Sequence, residues 1–209
     1  MHWTWVIARS SGIATWALAT CVVAWGLLLR TRLLGRVYEA QRILVLHRFL
    51  SALTLVFLVV HLVSLILDPF VKFTVPMVLV PGLASWQTTA VALGIIAMWL
   101  MIPVSVIGRL TNRWPTVSAT FRRTHYVAYA MWPFATAHYI LAGTDAMTLW
   151  SLAILVVGTG TLVFLLLSRG FVPLPPLAQR RTQPGAKPLV VGAMDAPNPA
   201  LSEQPRSNV

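Results

Sequence analysis

Four histidines fall in two apolar stretches at matched spacings. HRFLSALTLVFLVVHL (47–62) holds His47 and His61, fourteen positions apart. RRTHYVAYAMWPFATAHYIL (122–141) holds His125 and His138, thirteen apart. An ionisable side chain in a membrane-length apolar run is expensive and reads as functional by default. At ~1.5 Å per residue both separations come to about 20 Å along a helix axis. If the two stretches run parallel, His47 stands level with His125, and His61 with His138. Two facing imidazoles suit the axial positions of a haem iron, and a bundle interior is where such a cofactor sits. Two levels imply two b-type haems, stacked across the membrane.

Helical register is kinder to one stretch than to the other. Fourteen positions at ~100° each return within about 40° of the start, so His47 and His61 share a face. Thirteen positions leave His125 and His138 about 140° apart on an ideal helix. Pro133 lies between them, and an internal proline kinks a helix. The same four residues also allow a different class of reading: a haem-free scaffold or transporter whose histidines relay protons, bind another transition metal or pack. His2, beside Trp3, reads as an incidental polar residue.

The elements that must carry these histidines follow from composition. Of 209 residues, 57% belong to the hydrophobic set, and only 16 Lys and Arg and 5 Asp and Glu are charged. A soluble domain carries about a quarter charged residues, so an integral membrane protein is the expectation. The net charge of +11 does not point to nucleic acid, because the cations lie between apolar runs rather than on a basic surface segment. A single cysteine, Cys21, excludes an intramolecular disulfide and a Cys-ligated zinc or iron–sulfur site. The fold class expected is all-α, an integral membrane bundle of about five transmembrane helices. The apolar runs are Ser11–Leu29, Ile43–Leu67, Trp86–Ile107, Thr124–Leu141 and Met147–Leu167.

Lys and Arg are distributed unevenly about those runs. The first loop, the third loop and the proximal tail carry four each, whereas the N-terminus and second loop carry only Arg9 and Lys72. The positive-inside rule then predicts the N-terminus outside and the C-terminus cytoplasmic. Residues 1–170 form the expected membrane domain. Residues 171–209 hold eight of the fourteen prolines and no periodicity, which predicts a disordered cytoplasmic tail. KFTVPMVLVPGLASW (72–86) is apolar but interrupted by Pro76 and Pro81, so it is expected to be re-entrant or interfacial, capping the outer face.

The spaced double pair of histidines resembles the ferric reductase-like transmembrane domain, shared by NADPH oxidases, ferric reductases and the haem-binding subunit of the bacterial methionine sulfoxide reductase system. The similarity covers most of residues 11–167, and the LDPF, LVPG and AGTDA stretches resemble loops of single-domain bacterial members. It implies His47 and His125 as ligands of the inner haem iron, His61 and His138 as ligands of the outer one, and a multi-pass location in the cell membrane. Two features depart from the family. Its members usually have six spans rather than five, and its oxidase and reductase members carry a flavin and nicotinamide domain after the last span. No flavin or nicotinamide site is legible in this tail. The expected donor is therefore a separate flavoprotein reductase or a membrane quinol, passing electrons towards an extracytoplasmic acceptor.

Other residues take secondary roles. Arg42, Arg48, Arg122 and Arg123 flank the inner pair, where they could hold haem propionates or guide an anionic donor. They equally fit ordinary positive-inside charge. Arg48, beside His47, sits furthest into a span. Lys72, Trp86 and Asp145 are placed near the outer edge by position alone. Most tryptophans fit an aromatic belt, and Trp132, between the two levels, is the candidate for packing between haems. No nucleophile and base are spaced for catalysis, so the chemistry expected is the cofactor's.

Overall fold

The computed structural model of the chain describes residues 3–31, 40–110, 121 and 124–171. Arg122, Arg123 and all but the first residue of the proline-rich 171–209 segment lie outside the described residues. Among the described residues the regular elements are all helices: α1 (Trp3–Thr31), α2 (Ala40–Ile66), α3 (Val75–Leu79), α4 (Thr88–Leu110), α5 (Val127–Ala142) and α6 (Leu149–Phe171).

Four of these are long and apolar enough to cross a membrane, over Trp3–Leu29, Arg42–Ile66, Thr88–Leu110 and Leu149–Ser168. They make the chain a multi-pass helical membrane protein. Several of their hydroxyls are satisfied inside their own helix, as hydrocarbon favours. Ser11 donates to the Ile7 carbonyl, Thr15 to Ser11, Ser51 to His47, Thr54 to Leu50 and Ser64 to Val60. Large apolar side chains such as Val56, Val59 and Val63 on α2 and Val156, Phe164 and Leu167 on α6 point outward. That is the natural surface of a helix solvated by lipid.

The first span begins eight residues earlier than the hydropathy pattern suggested. Arg9 would end an unpartnered apolar run, but here it forms an ion pair with Asp145. Ser10 and Ser11 turn their hydroxyls back onto carbonyls of the preceding turn, so α1 continues through them.

The fourth apolar stretch differs in the other direction. Its helix covers only the 16 residues Val127–Ala142, short of the roughly 17–25 needed to span as a straight helix. The chain turns just before it. His125 still donates its N–H to the Phe121 carbonyl at 2.8 Å, but the next bonds, Ala128 to His125 and Tyr129 to Tyr126, reach back only three residues. That tightening ends one helical path and starts another. Pro133, inside α5, removes one further backbone donor.

Packing is built from two antiparallel helix pairs. α1 lies along α2, α4 lies along α5, and α1 also touches α5 and α6. The 72–86 segment packs inward as a cap at the end where α2 finishes and α4 starts. Phe73, Val78 and Ala84 are buried with Val91, Ile95 and Met98, against Leu58, Leu62 and Leu65 of α2. Lys72 (φ 56°) and Gln87 (φ 42°) take left-handed backbone at its two ends. Asp68 ties this end together. Its carboxylate is buried and accepts bonds from Thr4 Oγ1 at 2.7 Å and from the N–H groups of Phe70 (3.2 Å) and Val71 (3.1 Å).

Candidate functional site: two stacked histidine pairs

The fold brings the four histidines together in the two expected pairs. His47 and His125 face each other with ring centroids 6.1 Å apart and planes at 64°. His61 and His138 do so at 6.4 Å and 75°. An imidazole nitrogen binds a transition ion at about 2.0 Å and lies about 1.2 Å from its ring centre by covalent geometry. Two imidazoles on opposite sides of one ion therefore have centroids about 6.4 Å apart. Both pairs stand near that separation.

Tautomers support ligation at the second pair. Nδ1 of His61 lies 2.7 Å from the Ala8 carbonyl, and Nδ1 of His138 lies 2.7 Å from the Ala90 carbonyl. A carbonyl only accepts, so each Nδ1 carries the proton and each Nε2 keeps a free lone pair. That is how a second-sphere bond prepares an imidazole for a metal. At the first pair, Nδ1 of His47 is buried without a hydrogen-bond partner. Nδ1 of His125 is buried without a partner.

Glycines on the neighbouring helices make room for the rings. A Cβ at Gly94 of α4 would lie 2.7–2.8 Å from the His138 ring, and one at Gly12 of α1 would lie 3.0 Å from the His61 ring. One at Gly26 would meet His47 Cε1 at 3.5 Å. These glycines went unread in the sequence, although a signal was there: Gly12 and Gly26 repeat the fourteen-residue step of His47 and His61.

Each pair opens into its own cavity. The one at His47 and His125 has a volume of about 620 Å³ and is lined also by Gly26, Arg48, Arg109 and Tyr129. The one at His61 and His138 is slimmer, about 170 Å³, and is lined also by Arg9, Trp86, Tyr139 and Asp145. Ala19, Met101 and Met131 line both and belong to one buried cluster. They form the partition between the two levels.

The remaining expected residues separate into those at the cavities and those away from them. Arg48, Trp86 and Asp145 line a cavity, and so do Arg9 and Arg109, which the sequence reading did not single out as site residues. Lys72 lines neither. Trp132 is corrected: it lines neither cavity, donates its Nε1–H to Thr20 at 2.9 Å and packs on the cluster of Val23, Leu27, Leu162 and Leu165. Its place between levels in sequence is real, but its ring turns towards α1 and α6. Arg122 and Arg123 lie outside the described residues.

Among the described residues no group of three or more His, Cys, Asp or Glu gathers at one point. Each pair can thus offer a metal two protein ligands on opposite sides. Compared with protein-family models, with curated proteins and with solved structures, the chain has no match.

Proposed function

We propose that this protein is a membrane b-type cytochrome that carries electrons across the bilayer, with two bis-histidine haem sites in series. His47 and His125 would hold the inner haem, and His61 and His138 the outer one, in a five-span bundle with the N-terminus outside. The observation that carries the reading is the spacing of both imidazole pairs, 6.1 and 6.4 Å between centroids, each within a cavity. A two-ligand, opposed donor set suits a metal whose other four positions come from a macrocycle. It suits a tetrahedral site of three or four protein ligands poorly.

Haem bound at both levels would supply a pair of one-electron Fe(III)/Fe(II) couples closed to oxygen at the iron. The chain's own residues supply the rest. Ala8 and Ala90 carbonyls orient two ligands, glycines admit the rings, and Ala19, Met101 and Met131 keep water from the space between levels. Arg48 and Arg109 place positive charge at the inner cavity, where haem propionates or an anionic donor would be met. Such a donor would be a separate flavoprotein or a quinol, and the acceptor would lie on the opposite side.

The test is a reduced-minus-oxidised absorption spectrum of the purified protein, with haem counted per chain. Sharp b-type bands and about two haems per chain are expected. A chain that takes up no haem when haem is plentiful would overturn the cytochrome and leave the scaffold or transporter reading.

A further inference from the structure

Two of the four histidines meet the same piece of neighbouring backbone, a carbonyl that they bond and a glycine four residues on: His61 at Ala8 and Gly12, and His138 at Ala90 and Gly94. His47 repeats the glycine half at Gly26, four residues after Val22, with its Nδ1 left without a hydrogen bond. The geometry has a simple cause. Carbonyl i and residue i+4 are stacked along one helix face. A glycine there lets the ring edge reach the carbonyl, whose second lone pair is still available beside its intrahelical bond.

The two glycines on α1 are fourteen residues apart, like the two ligands of α2 that they meet. The same step along α4 from Ala90 and Gly94 arrives at Val104 and Gly108. Both residues line the His47–His125 cavity, as does His125 itself. At this fourth position, however, the pattern is unfinished. A Cβ at Gly108 would meet only the Phe121 ring, at 3.4 Å. Phe121 packs on His125 with ring centroids 4.8 Å apart and planes tilted by 39°, and His125 Nδ1, like His47 Nδ1, is buried without a hydrogen-bond partner.

We propose that Val104 and Gly108 are the seat of His125, and that Phe121 is the side chain that gives way when His125 takes it. This rests on the haem reading above. With Nδ1–H donated to Val104, His125 presents Nε2 to the inner site as His61 and His138 already do at the outer one. Val104 and Gly108 are thus positioning residues, acting through His125. The inner site is the one completed on loading, because its second ligand, His125, sits on the turn before α5 rather than within a helix.

The experiment compares Gly108→Ala and Phe121→Ala with a Gly160→Ala control, whose added methyl would meet nothing within 4 Å. Haem per chain, loss of haem to an excess of apomyoglobin, and the low-spin electron paramagnetic resonance of the inner haem are measured in full-length protein. Gly108→Ala is expected to keep the outer haem, to release the inner one at least about tenfold more readily and to shift its resonance. Phe121→Ala should keep both haems and load the inner one faster than the control. Gly108→Ala and Phe121→Ala indistinguishable from Gly160→Ala would overturn the seat. Should Gly108→Ala lose both haems, Phe121→Ala decides: faster inner loading supports the seat and unchanged loading overturns it. A wild-type chain that binds no haem would instead remove the cytochrome reading on which the seat rests.

Discussion

Gly12 and His61 touch across the interface of α1 and α2. A methyl at Gly12 would lie 3.0 Å from the imidazole, and that imidazole donates to the Ala8 carbonyl one turn away. Residue type, ring position and tautomer are therefore set together, by a helix that carries no histidine of its own at either level.

Gly94→Ala is the sharpest probe of this arrangement. The added carbon would fall 2.7 Å from His138 Nδ1, closer than real contacts allow, and would push the ring from Ala90. Loss of such a second-sphere support typically costs 10- to 100-fold in metal affinity. The outer haem should be released about that much more readily while the inner one is retained, as read by haem per chain after competition.

His61→Ala and His47→Ala should each remove or convert about one haem per chain, and the two variants should lose different spectral components. Difference spectra of the single variants would show this. Loss of both haems from either, or of neither from both, counts against two independent levels.

Asp68 gives a prediction that does not involve haem. Asp68→Ala removes the buried acceptor shared by the N–H groups of Phe70 and Val71 and the hydroxyl of Thr4. A hydrogen bond to a charged group contributes about 1.5–3 kcal/mol. Thermal unfolding in detergent should show a marked loss of stability, with Thr4→Ala much milder because the two backbone bonds survive.

The Arg9–Asp145 ion pair lines the outer cavity, so each partner should tune that site in its own direction. A positive charge favours the reduced iron and a negative charge the oxidised one. Arg9→Gln should lower the midpoint potential of the outer haem and Asp145→Asn should raise it. Redox titration of the haem-loaded protein is the check on this consequence of the proposed cytochrome, and shifts of the same sign in both variants would argue against direct electrostatic action.

Much of the frame was legible in the chain because lipid imposes strict local rules. Long apolar runs must be helices, and the constant rise of a helix turns the spacings of fourteen and thirteen residues into two depths. From these came the all-helical class, the expectation that His47 meets His125 and His61 meets His138, and the cap character of residues 72–86. The helix ends were less legible. Arg9 looked like a boundary because its partner, Asp145, lies far away in sequence, and the turn at His125 and Tyr126 leaves no mark in hydropathy.

That turn also removes the angular difficulty of the thirteen-residue spacing, since His125 stands before α5 and does not share its helical phase with His138. Depth is therefore a local property: hydropathy and helical rise place residues along a helix axis with no knowledge of neighbours. Azimuth and company come from the packing of helices on one another. Which way Trp132 turns, which glycine admits which imidazole and which carbonyl accepts its hydrogen bond depend on contacts between helices, and these are set by packing across the bundle rather than by any local pattern.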